Sequence, residues 1–242
     1  LSFWIRASGK MAAQYSEIPS FRRHGGSENY GVTPWKNDTD RLTRMSEKAG
    51  AKVRGAYAWM LSEKTRKANA ALMGLGHTRR IVISDTLLAC CNHDEIEAVL
   101  AHELGHHVYR HMLKGIMVQG VIAFCGFWCL KLAIRWASFS WERHYDQIDF
   151  ANLPLMILVS TAISVMLLPM LNAYSRFNER QADLYAWKSL GSVQPFCSAM
   201  EKLSAQNLSE RDPSRWIEIL LLSHPPIGRR IKAALAWENS HK

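Results

Sequence analysis

His102, Glu103 and His106 stand in the run His-Glu-Leu-Gly-His. On a helix, residues four apart share a face, so both imidazoles can reach one metal ion. Glu103 lies at the edge of that face, placed to take a proton from a zinc-activated water. The surrounding residues read as a helix. Ile96, Val99, Leu100 and Leu104 recur at helical spacing, and Asn92 with Glu95 three residues on reads as a capping-box start. The same spacing also suits two structural or surface histidines on an amphipathic helix, so the context decides. Tyr109 and Met112 stand where a metzincin carries Gly and His, which excludes that class. His107 and His111 form a second such pair, turned about 100° from the first, and read as solvated or membrane-proximal.

A zinc peptidase with two histidine ligands needs a third protein ligand and an open position. Glu179 and Asp183 are four apart, hence on one helical face. Glu179 can ligate zinc while Asp183 holds an imidazole by a hydrogen bond. The other reading is two solvated acids on a surface helix.

Between the two candidate ligand segments lie two apolar runs, residues 115–134 and 153–171. Each is long enough to cross a hydrocarbon core of ~30 Å. The second is uncharged, and the first carries only Lys131, near its far end, where it can snorkel to the interface. The competing reading is a buried hairpin of a soluble domain. Residues 135–152 carry Trp136, Trp141 and Tyr145 and read as an interfacial turn. A hairpin returns the chain to the side it left. Arg110, Lys114, Arg176 and Arg180 flank that side, and Arg135 and Arg143 the turn, so the positive-inside rule places the site in the cytoplasm. Pro169 is expected to kink the second span.

The 242 residues suffice for one domain with a substantial core, and the net charge is +9. Such a balance suits nucleic acid, an acidic membrane surface, or loops held on the cytoplasmic side of a membrane; the basic residues are scattered, without a basic motif interleaved with aromatics, so nucleic acid fits least. Five cysteines, an odd number at irregular spacing, argue against a disulfide framework and for a reducing side.

Taken together, the His-Glu-x-x-His run, two hydrophobic spans, and Ser175-Arg176 followed by Glu179, Gln181, Ala182 and Asp183 resemble the M48 family of membrane zinc peptidases. That family contains the CaaX prenyl proteases and the HtpX proteases. Asn69-Ala70 with Arg80-Ile81-Val82-Ile83-Ser84, and His224-Pro225 with Arg230-Ile231, resemble further segments of it. The likeness covers residues 41–235 in the family's order.

The resemblance implies an α+β, mainly helical, gluzincin-like domain with a small sheet, interrupted by a two-helix transmembrane hairpin. It implies one Zn2+ per chain on His102, His106 and Glu179, with Glu103 as general base and acid. Asp183 would stand behind the ligands. Asn69 and His224 would stabilise the tetrahedral intermediate, and Arg230 would support that site. The expected function is a membrane-embedded zinc endopeptidase, acting on peptides or membrane proteins in quality control or peptide processing. Its setting would be the lipid bilayer of a bacterial inner membrane, with the site facing the cytoplasm. The alternative is a non-catalytic, membrane-anchored zinc scaffold, which needs the ligands but not Glu103, His224 or Arg230 around an open site.

Residues 1–40 read as the tail of a missing span, Leu1 to Ile5, followed by a polar loop over 20–40, and residues 41–242 as the peptidase domain. Within it, helices are expected over 40–52, 93–110, 173–190, 193–207, 214–222 and 227–238, and strands over 55–61, 70–74 and 79–84. The strand from Arg79 to Ile83 could pair with an extended substrate backbone.

Overall fold

A computed structural model describes residues 15–17, 34–74, 76–140, 152–208 and 210–241. The chain forms two compact units that interleave in sequence. The first takes residues 1–109, 179–212 and 226–242, and the second takes 110–178 and 213–225.

The first unit is built on a four-stranded mixed sheet of order β1-β2-β4-β3. Strand β1 (Tyr15–Glu17) runs antiparallel to β2 (Ala56–Trp59), which is parallel to β4 (Arg80–Ser84), itself antiparallel to β3 (Ala70–Met73). The β-branched run of β4 suits a pleated interior, and Ile81, Val82 and Ile83 are buried. Ile83 pairs with Ala58 on one side and Ala70 on the other. This corrects one expectation. With both neighbours in place, β4 cannot accept a substrate strand, and the edge on its side of the sheet is β3.

Ser84 ends β4 and begins α2 (Asp85–Cys90), its side chain accepting a hydrogen bond from Leu87 N–H. The following helix, α3 (His93–Val108), opens on the capping box formed by Asn92 and Glu95. Glu95 is buried and also accepts from Ser198 and from Lys202 at 2.7 Å, which ties the helix start to α6 (Gln194–Gln206). Ile96, Val99, Leu100 and Leu104 pack with Ile81, Ile83 and Leu87 in one core cluster. The opposite stripe, Ala98 and Ala101, packs with Ala186, Trp187, Phe196 and Ile231 in a second. Two buried stripes leave α3 few exposed positions, and its ligand face is held from both sides. The unit is closed by α8 (Ile227–His241).

Helix α1 (Pro34–Lys48) starts earlier than its periodicity suggests. Pro34, in the stretch expected to be a loop, instead opens the helix, since proline fits the first helical position, where no N–H bond is lost. Strand β1 also falls in the stretch 1–40 read as span tail and loop. Residues 1–14 and 18–33, and hence Leu1 to Ile5, lie outside the described residues, as do Trp141 and Tyr145 of the interfacial turn.

The second unit holds α4 (His111–Ser140), the N-terminal part of α5 (Leu153–Leu190), and α7 (Arg215–Leu221). Two helices, α4 and α5, are long and apolar enough to cross a membrane. Their apolar windows are not buried, and Phe124, Phe127 and Met166 are 71–79% exposed. A buried hairpin of a soluble core has the opposite exposure, so that reading is set aside.

Instead of a span followed by a separate helix, α5 is one helix of 38 residues that runs through Pro169. At ~1.5 Å per residue it is about 57 Å long, well beyond a hydrocarbon core. Its last turns therefore reach past the span and carry Glu179 and Asp183. Two smaller expectations also change. His111 is buried, not solvated, and Arg176 is buried with its guanidinium donating to the Glu218 and Leu222 carbonyls, so it is no free juxtamembrane charge.

Candidate metal centre

Three side chains converge in the first unit. His102 Nε2 and His106 Nε2, one turn apart on α3, face each other at 3.2 Å. Glu179 of α5 closes the triangle, with Oε2 3.4 Å from His102 Nε2 and Oε1 3.3 Å from His106 Nε2. Among the described residues this is the cluster able to hold a metal ion. The spacing fits zinc. Tetrahedral bonds of ~2.0–2.1 Å put ligand atoms about 3.3–3.4 Å apart. Two imidazole nitrogens and a carboxylate, edge to edge at that separation, make a suitable donor set for a divalent cation.

The ring of His102 is oriented from behind. Its Nδ1 donates to Asp183 Oδ1 at 2.9 Å, which fixes the ring with Nε2, the atom that would bind a metal once deprotonated, turned to the cluster. Asp183 is in turn gripped by Arg230 of α8. Arg230 Nε donates to Oδ2 at 2.9 Å, and Nη2 donates to Oδ1. This bidentate fork is almost fully buried, and the guanidinium stacks over Phe196 at 5.6 Å. Arg230 thus reaches the cluster through Asp183 and His102.

The electrostatics follow from burial and these partners. Burial alone lowers the pKa of His102, but hydrogen bonds to Asp183 and Glu179 outweigh it and push the value up to about 9. Glu103 is partly buried, one residue from His102. Burial raises its pKa, and the two nearby imidazoles only partly reverse this. A carboxyl held above its usual range is better matched to taking and returning a proton near neutrality.

A Cβ on Gly105 would lie 2.8 Å from Ala182 Cα and 3.0 Å from Ala182 O. Gly105 lies within the His-Glu-x-x-His run, and Ala182 lies between Glu179 and Asp183. The two ligand helices therefore touch backbone to backbone at the cluster, and their ligands meet because neither contact residue is large. The signal was present as Gly facing Ala, but only the packing reveals that they meet.

Asn69 is exposed, with its N–H donating to Ser84 Oγ and its carbonyl accepting from Ser84 N–H, so it lengthens the β3 edge by one residue. His224 belongs to the second unit and is itself exposed, in the segment between α7 and α8 whose Pro225 and Pro226 are buried. His102, Glu103, His106, Glu179, Asp183 and Arg230 are brought together in the first unit.

Two histidines on one helix, an acid from a second, and a carboxyl beside them define a metallopeptidase type of centre. The chain belongs to peptidase family M48, whose model matches residues 37–238. It is 30% identical over 212 residues to the uncharacterized metalloprotease YhfN of Bacillus subtilis, covering 86% of this chain and 50% of that protein. It is 33% identical to a CAAX prenyl protease 1 homolog of Oryza sativa (71% of this chain, 41% of the relative). It is 29% identical to a protease HtpX homolog of Halobacterium salinarum (57% and 45%). The solved structure of S. mikatae Ste24p superimposes with a TM-score of 0.70 at 24% identity, over 86% of this chain and 51% of that one, and shows the shared fold. The chain thus spans about half the length of the curated relatives it matches.

Proposed function

We propose that this chain is a membrane-embedded zinc endopeptidase that hydrolyses peptide bonds, with Glu103 as general base. The observation that carries the reading is the convergence of His102, His106 and Glu179 at ligand-edge spacing beside a carboxyl of raised pKa. Bound zinc supplies Lewis acidity, which acidifies water and polarises a carbonyl. Glu103 accepts the proton of the attacking water and returns it to the leaving amine. Asp183 and Arg230 keep the His102 ring fixed while this happens. Asn69 and His224 are the proposed donors to the developing oxyanion. Strand β3 is an edge of the described sheet, and its outer backbone is the proposed partner for an extended peptide. The proposed role is quality control of membrane proteins or processing of lipidated C-terminal peptides, and relatives named CAAX prenyl protease support the second.

The test is cleavage of a quenched unstructured peptide in detergent, with metal analysis, for wild type, Glu103→Gln and Glu179→Ala. Zinc in wild type and Glu103→Gln, turnover in wild type alone, and loss of zinc in Glu179→Ala are expected. Activity in Glu103→Gln refutes the base, and full occupancy in Glu179→Ala refutes the third ligand. Zinc without activity in wild type favours the scaffold reading. We place the site on the cytoplasmic side of a bacterial inner membrane, because Arg110, Lys114 and Arg180 flank the hairpin ends. Trypsin should cut the first unit in inside-out vesicles and spare it in right-side-out ones. The reverse pattern overturns the orientation.

A further inference from the structure

The second unit contains a helix built inside out. In α7 the one buried residue is Glu218, 4% exposed, while Trp216, Ile217, Ile219, Leu220 and Leu221 are 42–74% exposed. A helix facing water presents the opposite pattern, with charge outward and apolar residues inward. Its C-terminal backbone is also prepared for an environment without water. A helix end leaves its last carbonyls without intrahelical partners. Here Asn172 Nδ2 donates to Leu220 O at 2.7 Å, and Arg176 Nη1 donates to Glu218 O at 2.8 Å and Leu222 O at 2.6 Å. Both donors are buried, 7–8% exposed. Satisfied carbonyls can leave water without the penalty that unpaired ones carry.

The donors also fix the depth of the helix. Asn172 directly follows the apolar run 153–171, and Arg176 is one turn further along the same helix. The C-terminal half of α7 is therefore fastened where the second span leaves the hydrocarbon. We propose that α7 is an interfacial helix, lying at the headgroup–acyl boundary of the bilayer with its five large apolar side chains inserted. The proposal rests on the membrane reading of α4 and α5. The occupant is lipid because apolar residues occupy nearly the whole circumference and not one patch, and because the surface belongs to the unit of the exposed apolar hairpin. Trp216 is of the type enriched at such interfaces, and exposed Arg215 at the helix start suits a lipid phosphate. The bilayer would then immobilise the stretch that runs on to His224 within the same unit.

The full chain is placed in vesicles of phosphatidylcholine and phosphatidylglycerol carrying an acyl-chain diazirine. After photolysis, labelled peptides are mapped by mass spectrometry. Label is expected on α4, on residues 153–171 of α5, and on Trp216–Leu221. In Trp216→Glu with Leu221→Glu, label on α7 should fall to background while the spans stay labelled. Labelled spans with unlabelled wild-type α7 overturn the proposal and mean that protein covers the helix. Wild-type labelling surviving in the double variant also overturns it. If the spans themselves stay unlabelled, the membrane reading fails together with the inference. If the variant does not fold, the wild-type map decides.

Discussion

His102 meets opposite demands with and without metal. In the metal-free protein Asp183 and Glu179 push its pKa up to about 9, so it is protonated at neutral pH. A metal ligand must offer a free lone pair, so uptake releases that proton. The sign follows from the unfolded value near ~6.5. The folded value is higher, so the proton stabilises the metal-free fold fully below ~6.5, and this is lost as pH rises through about 9. The thermal stability of metal-free protein should therefore fall between those values, while metal affinity strengthens. Titration against a chromophoric chelator across that window checks this, and a flat affinity profile contradicts it. Asp183→Asn removes the carboxylate that fixes the ring, and about 10- to 100-fold weaker metal binding is expected in the same assay. The cluster was legible because His102 with His106, and Glu179 with Asp183, each follow the helical repeat. The grip of Arg230 on Asp183 was not, because 47 residues separate them and no local period links them.

Two helices supply the ligands, and their separation is set by the smallest residues on each. Gly105→Ala places a methyl carbon against the backbone of Ala182, which has no flexible end to yield. The helices must part by a few tenths of an ångström, at a cost of about 1–3 kcal/mol for overpacking. A lower unfolding midpoint and weaker zinc retention are expected, read by thermal melts and chelator competition. Unchanged zinc retention at a lowered midpoint would show that the contact serves stability alone. At this scale α3 was plain from its capping box and apolar stripes. The continuity of α5 was not, since the apolar run ends at residue 171 and the polar residues after it carry a different pattern. The central place of β4 was also hidden, because sheet order is decided by pairings distant in sequence, and Arg79 to Ile83 alone does not reveal its neighbours.

The centre is assembled from three separate stretches of chain: α3, the end of α5, and α8. Residues 110–178, which belong to the other unit, intervene between the first two. The two units were not separable in the sequence, because the chain leaves and rejoins the first one twice without a linker composition to mark it. A metal on His102, His106 and Glu179 is a crosslink between stretches that local folding does not join. Ligand bound only to the native state stabilises it by about 2.7 kcal/mol when present at 100 times its dissociation constant. That gain should fall on the unit that holds the ligands. Hydrogen exchange in detergent, with and without a chelator, reads it residue by residue. Removing metal should speed exchange in α3, in residues 179–190 and in α8, while residues 111–140 keep their protection, since helix hydrogen bonds in an apolar surround hold them without metal. Equal loss of protection along the whole chain would mean that both units open together, and that metal supports the entire fold.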